Sequence, residues 1–198
     1  MTLPDRRAAL FEAYSHAADV VAGVEPTQLG RPTACPEYDV ATMVDHLVGA
    51  GHRAAALGRG ETPTGDEFPH VGLGDAPKQL RRAAKDAQVA WSDDARLSAA
   101  ITMPWGETYS GFTLVDMYLA EISTHTWDLA AATDQLGRLD SALAAAALEG
   151  ARAMLKPEYR NFMGEGSPFG TEVQAPADAT AWERLAAFMG RQPRPTPR

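Results

Sequence analysis

A glutamate and a histidine one helical turn apart, inside an otherwise apolar stripe, constrain this chain more than any other feature. An α-helix turns about 100° per residue, so residues three, four and seven apart share a face. In the stretch from Phe112 to Thr133 one such face carries Leu114, Met117, Tyr118, Glu121, His125, Asp128 and Ala132. Glu121 and His125 therefore point where the oily residues point. A buried carboxylate without a partner is costly or takes up a proton, so a glutamate at the centre of that stripe needs an explanation. A divalent cation supplies one. The alternative is a metal-free pair that hydrogen-bonds across a helical bundle.

A second histidine strengthens the cation reading. Asp39 to Leu57 has the pattern of another amphipathic helix, with Val40, Met43, Val44, Leu47, Ala50, Ala54 and Leu57 on its apolar side and Asp39 as its N-cap. His46 falls at the margin of that stripe, about 100° from Leu47. From there an imidazole reaches sideways into a crevice between neighbouring helices. His46, Glu121 and His125 thus form a candidate set of two histidines and one glutamate. Zinc sites with three such donors keep a fourth position for water or substrate. The donor types also suit nickel, iron and manganese.

The rest of the chain sets bounds. With 198 residues, 45% of them hydrophobic, one domain spanning residues 1–198 is expected. No apolar run approaches the roughly 20 residues of a membrane helix, and Met1 to Arg7 is not followed by the apolar block of a signal peptide. A cytoplasmic protein without a membrane partner is the expectation. The single cysteine, Cys35, excludes an internal disulfide and reads as an inert thiol at a loop-to-helix junction. A net charge of −8 argues against nucleic acid as a partner. The one basic cluster, Lys78, Arg81, Arg82 and Lys85, stands among acidic residues and reads as a solvated helix face.

The 3.6-residue period marks helices over Asp5 to Val21, Asp39 to Leu57, Asp75 to Trp91, Phe112 to Thr133 and Asp140 to Leu155, with a short one around Trp182 to Phe188. His16 lies on the outer side of the first. The Gly- and Pro-rich stretch from Gly58 to Gly74 reads as a mobile connection that could cover the site, with His70 facing solvent. Leu97 to Met103 has strand character, followed by a turn at Pro104 to Glu107. Trp105 and Tyr109 precede the Glu121 helix and are candidates for the pocket mouth, with ordinary packing as the alternative. Arg53, two turns from His46 on nearly the same side, is a third pocket candidate. The fold expected is all-α: a four-helix bundle over about residues 5–155, a C-terminal extension with a short helix over 156–192, and a disordered tail over 193–198.

Several segments resemble a known family. Pro32-Thr33-Ala34-Cys35-Pro36-Glu37-Tyr38-Asp39-Val40 and Asp45-His46-Leu47-Val48-Gly49 resemble the start of the DinB-like metal-binding domain of mycothiol-dependent maleylpyruvate isomerases and their actinobacterial relatives. The likeness continues in Pro104-Trp105-Gly106, in Tyr118 to Ala130 and in the closing Arg184 to Arg191. The resemblance implies a DinB-like four-helix bundle with an ion, usually zinc, on His46, Glu121 and His125. It also implies mycothiol, or a water, as the group the ion activates. Asp128, one turn beyond His125, is the candidate for orienting an imidazole, with an inter-helix hydrogen bond as its alternative role. The isomerase carries a further C-terminal domain, whereas only about forty residues follow the last long helix expected here, so isomerisation of maleylpyruvate is not carried over from the resemblance. Low lysine use (Lys78, Lys85 and Lys156 only) agrees with an actinobacterial source.

The function expected is a metal-dependent thiol transferase or isomerase-type enzyme, in which mycothiol or water attacks a small electrophile. Its partners are then a small-molecule thiol and the electrophile. No catalytic acid or base is assignable, and a homodimer is left open. The pattern is not His-Glu-x-x-His, so peptide hydrolysis is unsupported. The alternative is a non-catalytic metal- or ligand-binding bundle, and a metal-free polar core is a third reading.

Overall fold

Capping chemistry sets the helix ends. The computed structural model describes residues 4–63, 70–104, 106–157, 160 and 170–194. Asp39 accepts a hydrogen bond from the Thr42 amide at 2.8 Å and opens helix α2, Val40–Arg59. Ser110 does the same through the Thr113 amide for α5, Gly111–Ala132, and Asp140 through the Ala142 amide for α6, Ser141–Met154. Thr180 and Glu183 form a reciprocal capping box at α7, Ala181–Phe188. Each such cap satisfies amides that the helix itself leaves open and contributes about 1 kcal/mol.

α1, Arg7–Ala22, α3, Ala76–Ala90, α2 and α5 close into a ring. α3 packs on α1 and α2, and α5 packs on the same two helices from the other side. Leu10, Tyr14, Met43, Leu47, Leu114, Leu119 and Ile122 fill the interior with almost no exposure. Each buried leucine or isoleucine contributes about 1.5–3 kcal/mol by leaving water. The all-α bundle expected from the periodicity is what the chain forms. Its four members are α1, α2, α3 and α5; α6 lies outside the ring against α5, and α7 packs on α6. The alanine-rich inner face of α6 suits that flanking place, because small side chains let a fifth helix approach closely.

Between α3 and α5 the structure is richer than a single strand-like run. Asp93 caps a short helix α4, Asp94–Ser98, and strand β1, Ala100–Thr102, pairs antiparallel with β2, Thr108–Ser110. The hairpin feeds directly into α5. Gly111 is required at this joint, because a Cβ there would collide with the backbone carbonyl of Arg96.

Other differences are local. His16 is half-buried rather than on the surface. Only the edges of the Gly58–Gly74 connection are described, and 64–69 lie outside the described residues. Its far edge is tied to α2: the Val71 amide and His70 Nδ1 bond the Asp45 carboxylate at 2.7 and 2.9 Å. Of the tail expected to be disordered over 193–198, the first two residues are described. Pro193 is buried and Arg194 pairs with Asp178 and Glu183; 195–198 lie outside the described residues.

Candidate metal centre

The two long helices that carry the polar stripe run antiparallel. Arg96 donates to the Leu57 carbonyl at the end of α2, and its own backbone abuts Gly111 at the start of α5. His46 lies about three turns before Leu57, and Glu121 about three turns after Gly111. The same stretch of interface therefore receives both. His46 Nε2 stands 3.2 Å from Glu121 Oε1, and the His46 and His125 rings meet edge to face with centres 4.6 Å apart. Both imidazoles are buried, whereas the Glu121 side chain keeps a fifth of its surface exposed.

Tyr38 closes one side of this cluster, its ring centre 5.0 Å from that of His46 and 6.2 Å from that of His125. The tight turn that presents it is held by its own backbone: the Tyr38 amide donates to the Cys35 carbonyl, and its carbonyl accepts from Thr33 Oγ1 at 2.7 Å. That turn is the Pro32–Val40 motif in three dimensions. Cys35 is buried within it, and burial pushes its thiol pKa up, as an inert cysteine requires.

His125 is braced from behind. Its Nδ1 lies 3.0 Å from Asp128 Oδ2, and Asp128 receives both arms of the Arg191 guanidinium, at 3.2 Å from Nε and 3.0 Å from Nη2. Burial pushes the Asp128 carboxyl up, but Arg191 and His125 outweigh it and hold the group below the usual carboxylate range. An ionised Asp128 accepts only, so Nδ1 of His125 is the donor and Nε2 faces the cluster with a free lone pair. Burial, with repulsion from His46, keeps His125 below the ordinary imidazole range.

Beneath Glu121 lies a second polar layer. Arg53 Nη2 stands 3.7 Å from Glu121 Oε1, and the same guanidinium hydrogen-bonds the buried Tyr118. Burial drives the Glu121 pKa upward, but His46 first, then Arg53 and His125, pull it below the ordinary value. Tyr14 is fully buried on α1 close to this layer; its hydroxyl has no hydrogen-bond partner among the described residues, and burial pushes its pKa well up.

The structure thus brings together His46, Glu121, His125, Asp128 and Arg53 of the sequence-derived residues. Tyr109 goes elsewhere: it sits on β2 opposite Ile101, with its hydroxyl on Glu107, at the α5 end about three turns from Glu121. Trp105 lies outside the described residues. Tyr38 and Arg191 were not singled out from the sequence, although both fall in the segments that carry the family resemblance. A surface cavity of about 430 Å³ between α2 and α3 is remote in character from this cluster, with His52, Lys78, Arg82 and Asp86 in its walls.

The donors suit a cation. Two donors on one tetrahedral zinc with bonds of about 2.0 Å lie about 3.3 Å apart, and two imidazoles on it have ring centres about 5 Å apart. The observed separations are 3.2 and 4.6 Å. These fits are pairwise: among the described residues no group of three or more His, Cys, Asp or Glu side chains is gathered tightly enough to enclose an ion.

A four-helix bundle with two histidines and a carboxylate facing one another across its interior is the class this geometry defines. The profile of the mycothiol maleylpyruvate isomerase N-terminal domain matches residues 10–130, and the chain belongs to that family. Two uncharacterised proteins from two strains of Mycobacterium tuberculosis are each 34% identical over 175 residues, covering 88% of this chain and 91% of theirs. A crystal structure of a histidine-to-alanine variant of the mycothiol-dependent maleylpyruvate isomerase overlays 65% of this chain with a TM-score of 0.49 at 15% identity. This chain spans 61% of that protein's length. No helix among the described residues is long and apolar enough to cross a membrane.

Proposed function

We propose that this protein is a divalent-cation-dependent enzyme of the thiol-transferase or isomerase type, acting in the cytoplasm with mycothiol as its thiol and a small electrophile as its second substrate. His46 Nε2, Glu121 and His125 Nε2 hold the ion, with zinc the best match to two imidazoles and one carboxylate. Two pairwise contacts support the reading: His46 Nε2 lies 3.2 Å from Glu121 Oε1, and the His46 and His125 rings have centres 4.6 Å apart, although His46 and Glu121 are 75 residues apart in the chain. The family's mycothiol-dependent member supplies the thiol by analogy. A bound cation lowers the pKa of a coordinated thiol or water enough to leave it nucleophilic at neutral pH.

The chain's own residues divide the remaining work. Asp128 keeps the proton of His125 on Nδ1. Arg53 faces the carboxylate of Glu121 from the half-exposed side, and Tyr38 shields the two imidazoles from water. Glu121 supplies the one negative charge among the three donors, so a divalent ion there would retain net positive charge for an anionic sulfur or oxygen ligand.

Elemental analysis of protein purified without a histidine tag is expected to find one ion per chain, and His46→Ala to lose it. Cobalt-loaded protein titrated with mycothiol is expected to develop a sulfur-to-metal charge-transfer band. Turnover of mycothiol with an electrophile that survives metal loss in His46→Ala would end this reading. Metal uptake without any thiol-dependent band or turnover would favour the non-catalytic binding bundle, which the lack of an assigned acid or base keeps in contention.

A further inference from the structure

Tyr38 belongs to two surfaces at once. Its ring centre lies 5.0 Å from that of His46 and 6.2 Å from that of His125, and the same residue lines a surface hollow of about 310 Å³ at the start of α2. Pro32, Pro36, Glu37, Asp39 and Thr42 form most of the remaining wall. The hollow is built on fixed backbone. Pro32 and Asp39 form an antiparallel bridge, the Val40 amide donates to the Arg31 carbonyl at 3.0 Å, and the Thr42 amide holds the Asp39 carboxylate at 2.8 Å. A wall set in advance lowers the ordering cost of binding.

The lining has one chemical character. Its charged side chains are the carboxylates of Glu37 and Asp39, and no lysine, arginine or histidine lines it among the described residues. Carboxylates accept hydrogen bonds and cannot donate, while the tyrosine and the prolines offer apolar faces beside them. A sugar-like body, with hydroxyl donors round its edge and C–H groups on its faces, matches both. An anionic body meets like charge.

We infer that this hollow is a second subsite next to the cation site: it takes the uncharged, hydroxyl-rich body of the thiol whose sulfur the ion holds, and it discriminates against thiols that carry carboxylates. Tyr38 is the wall shared by the two subsites, and Glu37 sets the charge preference. The inference rests on the proposed function for the placing of the sulfur. Mycothiol, built on a sugar and an inositol ring, is a thiol of the favoured class; glutathione, with two carboxylates, is of the disfavoured one.

Cobalt-loaded full-length protein, titrated through its sulfur-to-metal band, is expected to bind mycothiol more tightly than glutathione. Glu37 is exposed, so Glu37→Lys leaves the fold alone; it is expected to shrink the ratio of the two affinities about five-fold, chiefly by tightening glutathione. Tyr38→Ala is expected to keep its cobalt and to weaken mycothiol about five-fold, with Tyr38→Phe restoring the affinity. An unchanged ratio in Glu37→Lys contradicts the inference, whether or not Tyr38→Ala folds. S-methyl mycothiol added to metal-free, nitrogen-15-labelled protein tests the hollow without the ion: amide shifts concentrated between Gly30 and Thr42 are expected, and shifts elsewhere, or none at millimolar ligand, overturn the inference. If no thiol produces a sulfur band, the proposed function fails while the methylated ligand still tests the hollow. A sulfur band without preference and without shifts in the hollow removes the subsite and leaves the proposed function standing.

Discussion

The two imidazoles of the cluster are held in opposite ways. His125 sits in a dry region: Asp128 is fully buried behind it and Arg191 nearly so, and the hydrogen bonds of Asp128 to His125 and Arg191 run at 3.0–3.2 Å. On the other side, Glu121 and Arg53 keep about a fifth of their side-chain surface in water and meet at 3.7 Å. A charge pair in a dry interior is strongly coupled, and one at a wet margin is weakly coupled. The contrast divides the cluster into a rigid donor and an adjustable pair. A site that must admit a substrate needs one half that does not move and one half that does.

The largest expected effect breaks the rigid half. Asp128→Ala leaves Arg191 buried without its counter-charge, and chemical denaturation is expected to show a loss of about 3–5 kcal/mol. Replacing both charges, as Asp128→Leu with Arg191→Met, is expected to recover most of that stability while weakening zinc binding about 10- to 100-fold. The pair of variants separates what the ion pair contributes to folding from what it contributes to the site. A double variant as unstable as Asp128→Ala would show that shape, not charge, governs this region.

Next in size is the effect of the ion itself, which engages both halves at once. Zinc at 100 times its dissociation constant is expected to stabilise the folded chain by about 2.7 kcal/mol, a rise in melting temperature that a chelator reverses. His46→Ala, beside the partly exposed Glu121, is expected to abolish that rise while shifting metal-free stability much less than Asp128→Ala does. Equal stabilisation of His46→Ala by zinc would remove His46 from the ligand set.

The two halves also differ in their response to acid. Burial keeps His125 below the ordinary imidazole value of 6.5, so the unfolded chain takes up that proton more readily than the folded one. Its contribution is fully present above about pH 6.5 and is lost as the pH falls through the lower folded value. Asp128 and Glu121, held below the ordinary carboxylate values by their cationic neighbours, add a second loss that begins only below about pH 4. Metal-free protein followed by denaturant midpoint against pH is expected to lose stability in two stages. His125→Gln is expected to remove the first stage and leave the second; a single acid transition unaffected by that variant would argue against the buried, neutral imidazole.

How much of this was readable beforehand follows the same division. Glu121, His125 and Asp128 share one helix, so their common face is fixed by periodicity alone. His46 and Arg53 share another, seven residues apart, so the same period sets both on nearly one side of α2, and Arg53 meets Glu121 there. Arg191 and Tyr38 come from segments without a helical repeat to set their phase. Arg191 is aimed by the turn at Gly190 and Tyr38 by hydrogen bonds among Thr33, Cys35 and its own backbone. No period encodes those directions. Tyr109 failed for the converse reason: closeness in sequence to α5 suggested closeness to Glu121, but the helix carries the two apart by about three turns. The place of α6 outside the ring was likewise hidden, because an alanine-rich stripe suits an inner and a flanking helix equally.

The smallest expected effect tests the adjustable half most directly. Arg53 is partly in water and its contact with Glu121 is long, so its Coulomb term is screened and the side chain gives up rotamer freedom to make it. Arg53→Ala is therefore expected to lower stability by no more than about 1 kcal/mol in denaturant unfolding. The hydrogen bond to Tyr118 raises the stakes slightly, because the buried phenol loses a partner. Salt separates the two contributions: raising ionic strength weakens a half-exposed ion pair and leaves a phenol contact nearly unchanged. The difference between Arg53→Ala and the unmutated chain is thus expected to shrink with added salt, whereas the deficit of Asp128→Ala is expected to persist. A loss of 3 kcal/mol or more on removing Arg53, insensitive to salt, would mean that both halves are equally rigid and that the contrast between a fixed donor and a yielding pair is false.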